Sequence, residues 1–155
     1  MLFYEKTQDI EDFPYNNYEV LCGIEEEFFI ISKDGTLGEA ADDIMERAAE
    51  LLDKDENLLE TLKLKIRSLD AEPSPSQIEY VTLPLHPKDL EDAVKMGRNL
   101  LVKAASKLGL KIFAQSLHPI QSNPNPIVGT HINISIHERN YVMKPNECSQ
   151  YLITN

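Results

Sequence analysis

Apolar side chains change their spacing several times along the chain, and each change marks an element. Residues 19–31, EVLCGIEEEFFII, are rich in β-branched and aromatic residues and run into Lys33-Asp34-Gly35, a strand ending at a turn. From 39 to 53 the apolar positions Ala40, Ala41, Ile44, Ala48, Leu51 and Leu52 recur every three or four residues, which predicts an amphipathic helix. Residues 55–69 carry two periods. Leu58, Leu59, Leu62, Ile66 and Leu69 suit a helix, whereas Leu62, Leu64 and Ile66 alternate, so a short helix passes into a strand near residue 63.

The breaker-rich stretch Glu72-Pro73-Ser74-Pro75-Ser76 precedes a second firm strand, QIEYVTL, at 77–83. Pro87 opens the next helix, with Asp89 and Glu91 at its positive end and Gly109 stopping it. Its expected buried stripe is Leu90, Val94, Leu101, Ala105 and Leu108. A third strand is expected at Lys111–Gln115, a proline- and asparagine-rich loop at 118–128, and a fourth strand, THINISI, at 130–136. Residues 1–18 read as an irregular arm, and 145–155 as a tail with a short helix. Residues 19–155 are expected to form one α+β domain: a largely antiparallel sheet with helices on one face and the other face free.

Composition narrows the functional classes. Fifteen Lys and Arg stand against 26 Asp and Glu, a net charge of −11. That balance disfavours nucleic acid as a partner, because gripping a phosphate backbone needs clustered cations. It leaves carboxylates free to bind cations. Cys22 and Cys148 lack any CxxC spacing and read as free thiols in a reducing compartment. The first residues do not resemble a signal peptide. No apolar run approaches the ~18 residues of a membrane-spanning helix. The expectation is a soluble, cytoplasmic protein without a membrane partner.

Strand alternation then sorts the polar residues. On the first strand Glu25 and Glu27 share a face and Glu26 points the other way. Gln77 and Glu79 share a face of the second strand, as do His131, Asn133 and Ser135 of the fourth. Carboxylates among apolar neighbours are costly unless something neutralises them. Three polar rows on one sheet would gather Glu25, Glu27, Glu79 and His131 into an oxygen-rich site suited to Mg²⁺ or Mn²⁺. Each row alone also reads as a solvated sheet face, and His131 alone as a hydrogen-bonded structural residue. Asp42, Asp43, Glu46 and Glu50 read as the wet side of a helix.

Four ordered motifs carry a resemblance. Gly23-Ile24-Glu25-Glu26-Glu27-Phe28, Gln77-Ile78-Glu79-Tyr80-Val81-Thr82, Phe113-Ala114-Gln115-Ser116-Leu117-His118-Pro119 and Gly129-Thr130-His131-Ile132-Asn133-Ile134-Ser135 resemble motifs of the glutamate–cysteine ligase family, especially its carboxylate–amine ligase branch. The resemblance implies a glutamine-synthetase-like fold with a curved antiparallel sheet, and ATP-dependent joining of a carboxylate to an amine. It implies metals that bridge ATP's phosphates and shield the acyl phosphate that the amine then attacks. Glu25, Glu27 and Glu79 would be ligands and His131 a ligand or phosphate contact. Glu72 would be a further site residue; Gln77, Asn133 and Ser135 are additional candidates from the faces they share, and His118, in the His-Pro loop, is another that also reads as an exposed loop histidine.

The match covers the family's N-terminal half, so a second copy or a partner chain is expected to complete the site. Two other readings stand beside it. One is a non-catalytic remnant acting as a metal- or nucleotide-binding or assembly subunit. The other is a stand-alone metal-dependent hydrolase using the same face, for which no nucleophile stands out.

Overall fold

The computed structural model describes residues 18–115 and 127–138. Its centre is β1 (Tyr18–Ile31), a strand of 14 residues. There follow α1 (Ala41–Asp53), α2 (Glu56–Lys63), β2 (Ile66–Ala71), β3 (Gln77–Thr82), α3 (Pro87–Lys107), β4 (Lys111–Phe113) and β5 (Thr130–Glu138). All pairings are antiparallel: β3 lies along one edge of β1 with β2 outside it, while β5 and β4 share the other edge end to end.

The apolar face of the sheet carries the core. Phe28 faces Ile78 and Glu26 faces Tyr80 across the β1–β3 pair, so Phe28, Ile30, Ile78 and Tyr80 point to one side. There they meet Ile44 and Ala48 of α1 and Leu100, Leu101, Ala104 and Ala105 of α3 in one buried cluster. The double period of 55–69 resolves as both elements in turn. Asp55 caps α2 by accepting the Leu58 N–H at 3.0 Å, and Lys65 N–H bonds back to Leu62 before β2 begins.

Four expectations need correction. The buried stripe of α3 is Ala93, Gly97, Leu100, Leu101, Ala104 and Ala105, with Leu90, Val94 and Leu108 at its flanks. Small residues lie innermost because the helix sits directly on the Tyr80 ring: a Cβ on Gly97 would stand 2.7 Å from its Cγ. β4 ends at Phe113, not Gln115, because beyond Phe29 the edge of β1 is taken by the chain leading into β5, where Glu27 N–H bonds to Gly129 C=O at 3.0 Å. The polar face is closed at one end, since its register partners Phe29 and Gln77 are buried. The apolar row of β5 is exposed rather than covered by helices. The expected arm at 1–18 (save Tyr18, which opens β1), His118 and the tail at 145–155 lie outside the described residues.

Glu26 belongs to the helix side and is 4% exposed. Arg98 of α3 meets its carboxylate with two bonds, Nε at 2.8 Å and Nη2 at 2.5 Å, and Tyr80 Oη donates a third at 2.6 Å. The fork satisfies a charge that burial would otherwise make costly, and it fastens α3 to β1. Burial, first, and then the Glu26 carboxylate hold the Tyr80 hydroxyl protonated far above its usual range.

Two substitutions test this packing. In a helix without tertiary contacts, Gly→Ala gains up to ~1 kcal/mol. Gly97→Ala should instead destabilise by about 1–3 kcal/mol through overpacking. Arg98→Met should cost about 3 kcal/mol by leaving Glu26 uncompensated. Urea unfolding midpoints measure both; a stabilised Gly97→Ala variant contradicts the close approach.

Candidate metal centre

Glu25 and Glu27 leave β1 on the face opposite Glu26, and strand register brings the other groups to them. Glu27 stands directly opposite Glu79 on β3, and Glu25 opposite His131 on β5. Asp70 of β2 stands opposite Glu79 on its other side. Directly opposed residues share a face and sit near one another. Glu72 follows two residues after Asp70, so it keeps that face, and its N–H closes the β2–β3 hairpin on Gln77 C=O at 3.3 Å.

The side chains form two overlapping groups. Glu25, Glu27 and His131 each present an atom within 4.8 Å of the others, and so do Glu27, Glu72 and Glu79. Glu27 is common to both. It is held by one peptide neighbour at both ends: Gly129 N–H donates to its Oε2 at 2.8 Å, and Glu27 N–H donates to Gly129 C=O at 3.0 Å. His131 Nδ1 lies 2.8 Å from Glu25 Oε1, which orients the ring.

Electrostatics record the crowding. Partial burial, and then the charges of Glu25, Glu72 and Asp70, push the Glu79 carboxyl up to about 8. The hydrogen bond to Glu25 raises His131 above its usual value, with Glu27 and Glu79 adding to it and burial opposing. A proton held on Glu79 offsets part of this repulsion, as a bound cation would. This donor set of carboxylates with one imidazole fits Mn²⁺ or Mg²⁺.

The remaining candidates separate. Gln77 is buried and donates Nε2–H to Ile127 C=O at 2.7 Å, so it anchors the backbone leading to Gly129. Asn133 and Ser135 share the face but stand opposite Gly23 and Leu21, further along β5, and belong to neither group. Three contributors had not been singled out in the sequence: Asp70, the Gly129 peptide and Arg98. Alternation of Asp70 and Glu72 with Leu69 and Ala71 was the available signal for the first. For Arg98 it was the need of a helix-facing Glu26 for a cation. A cleft of about 260 Å³ opens beside Glu27, with Arg98, Gln115, Gly129 and Thr130 among its walls.

No family model and no curated protein matches the chain. Solved structures do. One described as a novel glutamine synthase homolog is 18% identical with a TM-score of 0.51, over 84% of this chain and 30% of that one. GmaS without ligand is 17% identical with a TM-score of 0.54, over 81% and 31% respectively. At such identities the likeness shows the fold, which is glutamine-synthetase-like. The chain spans about 30% of the length of these structures.

The shifted groups set a pH dependence. Glu79 and His131 both hold protons more tightly in the folded chain than their ordinary values, 4.5 and 6.5. Their contribution is complete below those ordinary values and is lost as pH rises, for Glu79 through about 8. Without divalent cations, the melting temperature should therefore fall as pH rises from about 5 to about 8. Glu79→Gln should flatten that fall, and Mg²⁺ should reduce it. A melting temperature equally steep in wild type and Glu79→Gln contradicts the assignment.

Proposed function

We propose that this face holds two divalent cations, and that the chain is the metal-holding part of an ATP-dependent carboxylate–amine ligase of the glutamate–cysteine ligase type. The observation that carries the reading is Glu27, shared by two three-residue groups whose members, Glu72 apart, lie in the sequence motifs. Glu25, Glu27 and His131 would hold one cation, and Glu27, Glu72 and Glu79 the other. The glutamine-synthetase-like fold of the two solved structures supports the same class.

In the proposed reaction a substrate carboxylate oxygen attacks the γ-phosphorus of ATP and ADP leaves. The amine then adds to the acyl carbon, loses a proton and expels phosphate. Bound divalent cations supply charge stabilisation for the phosphate oxygens in such chemistry. The chain's own residues preorganise the face: Gly129 fixes Glu27, Glu25 fixes the His131 ring, and Gln77 fixes the approach to Gly129. ATP, a small carboxylate and an amine are the proposed ligands. A second copy or partner chain would complete the substrate side, in a cytoplasmic setting that suits the free Cys22 thiol.

The same acidic groups would also serve a second reading, a non-catalytic subunit that binds metal or nucleotide and assembles with another chain. Calorimetry of Mg²⁺ or Mn²⁺, with and without ATP, separates these proposals from a solvated acidic face. Wild type should show a saturable heat of binding and gain ~2.7 kcal/mol of stability at a hundred times Kd. Glu27→Gln should lose most of both. No heat together with an unchanged melting temperature would sink the metal reading. If cations bind, an assay of ADP, phosphate and amide with glutamate and an amine panel, with and without a candidate partner chain, decides between enzyme and subunit.

A further inference from the structure

The helical layer stops short of one end of the sheet. Val20, Ile132, Ile134 and Ile136 are 42%, 52%, 40% and 64% exposed on the same face that buries Phe28 and Tyr80 further along. Register pairs Val20 with Ile136, Cys22 with Ile134 and Ile24 with Ile132, so two adjacent strands present one continuous apolar surface. Among the described residues, β5 pairs only with β1. Glu27 N–H bonds to Gly129 C=O, so odd-numbered residues of both strands face each other across that ladder. The backbone N–H and C=O of Ile132, Ile134 and Ile136 therefore point outward along the far edge.

Free edges are normally blunted by lysine, proline, a bulge or an inward charge. Through residue 137 β5 has none of these: residues 127–137 contain no Asp, Glu, Lys, Arg or Pro, Glu138 at the last position is its one acid, and its nine register pairs with β1 run without a shift. The chain carries a net charge of −11, so two copies repel over most of their surfaces. At β5 they meet no such penalty. The strand is also self-complementary, since turning it about Ile134 sets Ile134 against Ile134 and Ile132 against Ile136.

We propose that β5 pairs antiparallel with β5 of a second copy about a two-fold axis at Ile134. The interface is isologous, joins the two sheets into one and merges the isoleucine rows into a single buried stripe. Opposed residues in such a pair share a face, so both carboxylate faces lie on one side of the joined sheet and stay open. The dimer deepens the assembly part of the proposed function but does not rest on cation binding.

Sedimentation equilibrium of the full chain in EDTA tests it. Wild type should sediment as a dimer. Ile134→Lys places two like charges opposite each other and should raise the dimer Kd at least about tenfold. Ile136→Lys, at the most exposed of the three positions, should do the same with an unchanged far-ultraviolet circular dichroism spectrum, and decides the matter if Ile134→Lys does not fold. Wild type that stays monomeric at high protein concentration overturns the proposal and leaves the row to a different polypeptide. A dimer that both folded variants preserve overturns it as well, because the contact then lies elsewhere.

Discussion

Carboxylates on one short stretch of β1 repel one another, and the two faces of the sheet relieve that repulsion differently. On the helix side Glu26 is buried, but Arg98 and Tyr80 supply three hydrogen bonds to it. On the other side Glu25, Glu27, Glu72 and Glu79 approach within 4.8 Å in overlapping groups, with His131 as the one basic member. At an effective dielectric of about 20, two unit charges at such a separation repel by about 3 kcal/mol. The folded chain meets part of that cost by holding a proton on Glu79. A bound cation would remove the same cost and add ligand bonds, which is why the crowded face is the proposed site and the paired face is structural.

The apolar face fixes the polar one. A one-residue slip of β3 against β1 would turn Glu79 toward the helices and Tyr80 toward the carboxylates. Tyr80 is held against slipping by the Gly97 contact and by its bond to Glu26, and Phe28 and Ile78 lock the adjacent pair. Glu27 therefore meets Glu79 because α3 seats on Tyr80. The third support is the chain before β5. Gln77 holds Ile127, and two residues later Gly129 grips Glu27 at both ends, so the position of His131 and the orientation of Glu27 are set together.

Much of this was legible in residue spacing. Period-two alternation is a local property, and it placed Glu25, Glu27, Glu79 and His131 on matching faces before any pairing was known. Pairing order and register are non-local, and they decide that Asp70 flanks Glu79 and that Glu25 meets His131. Gln77 shows the limit of alternation: it lies on the expected face but is buried by the segment at 127–128, which no local pattern announces. The α3 stripe was displaced for a similar reason. Leu90 and Val94 suited a helix laid on a surface of uniform depth, whereas the Tyr80 ring selects Ala93 and Gly97 for the innermost line. The isoleucine row of β5 reads as core by period alone, and only the extent of the helical layer reveals that it is exposed.

The central claim is that one carboxylate, Glu27, serves two cation sites at once. Counting bound Mn²⁺ by electron paramagnetic resonance in wild type, Glu25→Gln, Glu79→Gln and Glu27→Gln tests it most directly. The account predicts two ions per chain in wild type, one lost or weakened by Glu25→Gln, the other by Glu79→Gln, and both by Glu27→Gln. Two ions retained with undiminished affinity in Glu27→Gln, or none in wild type, would contradict it.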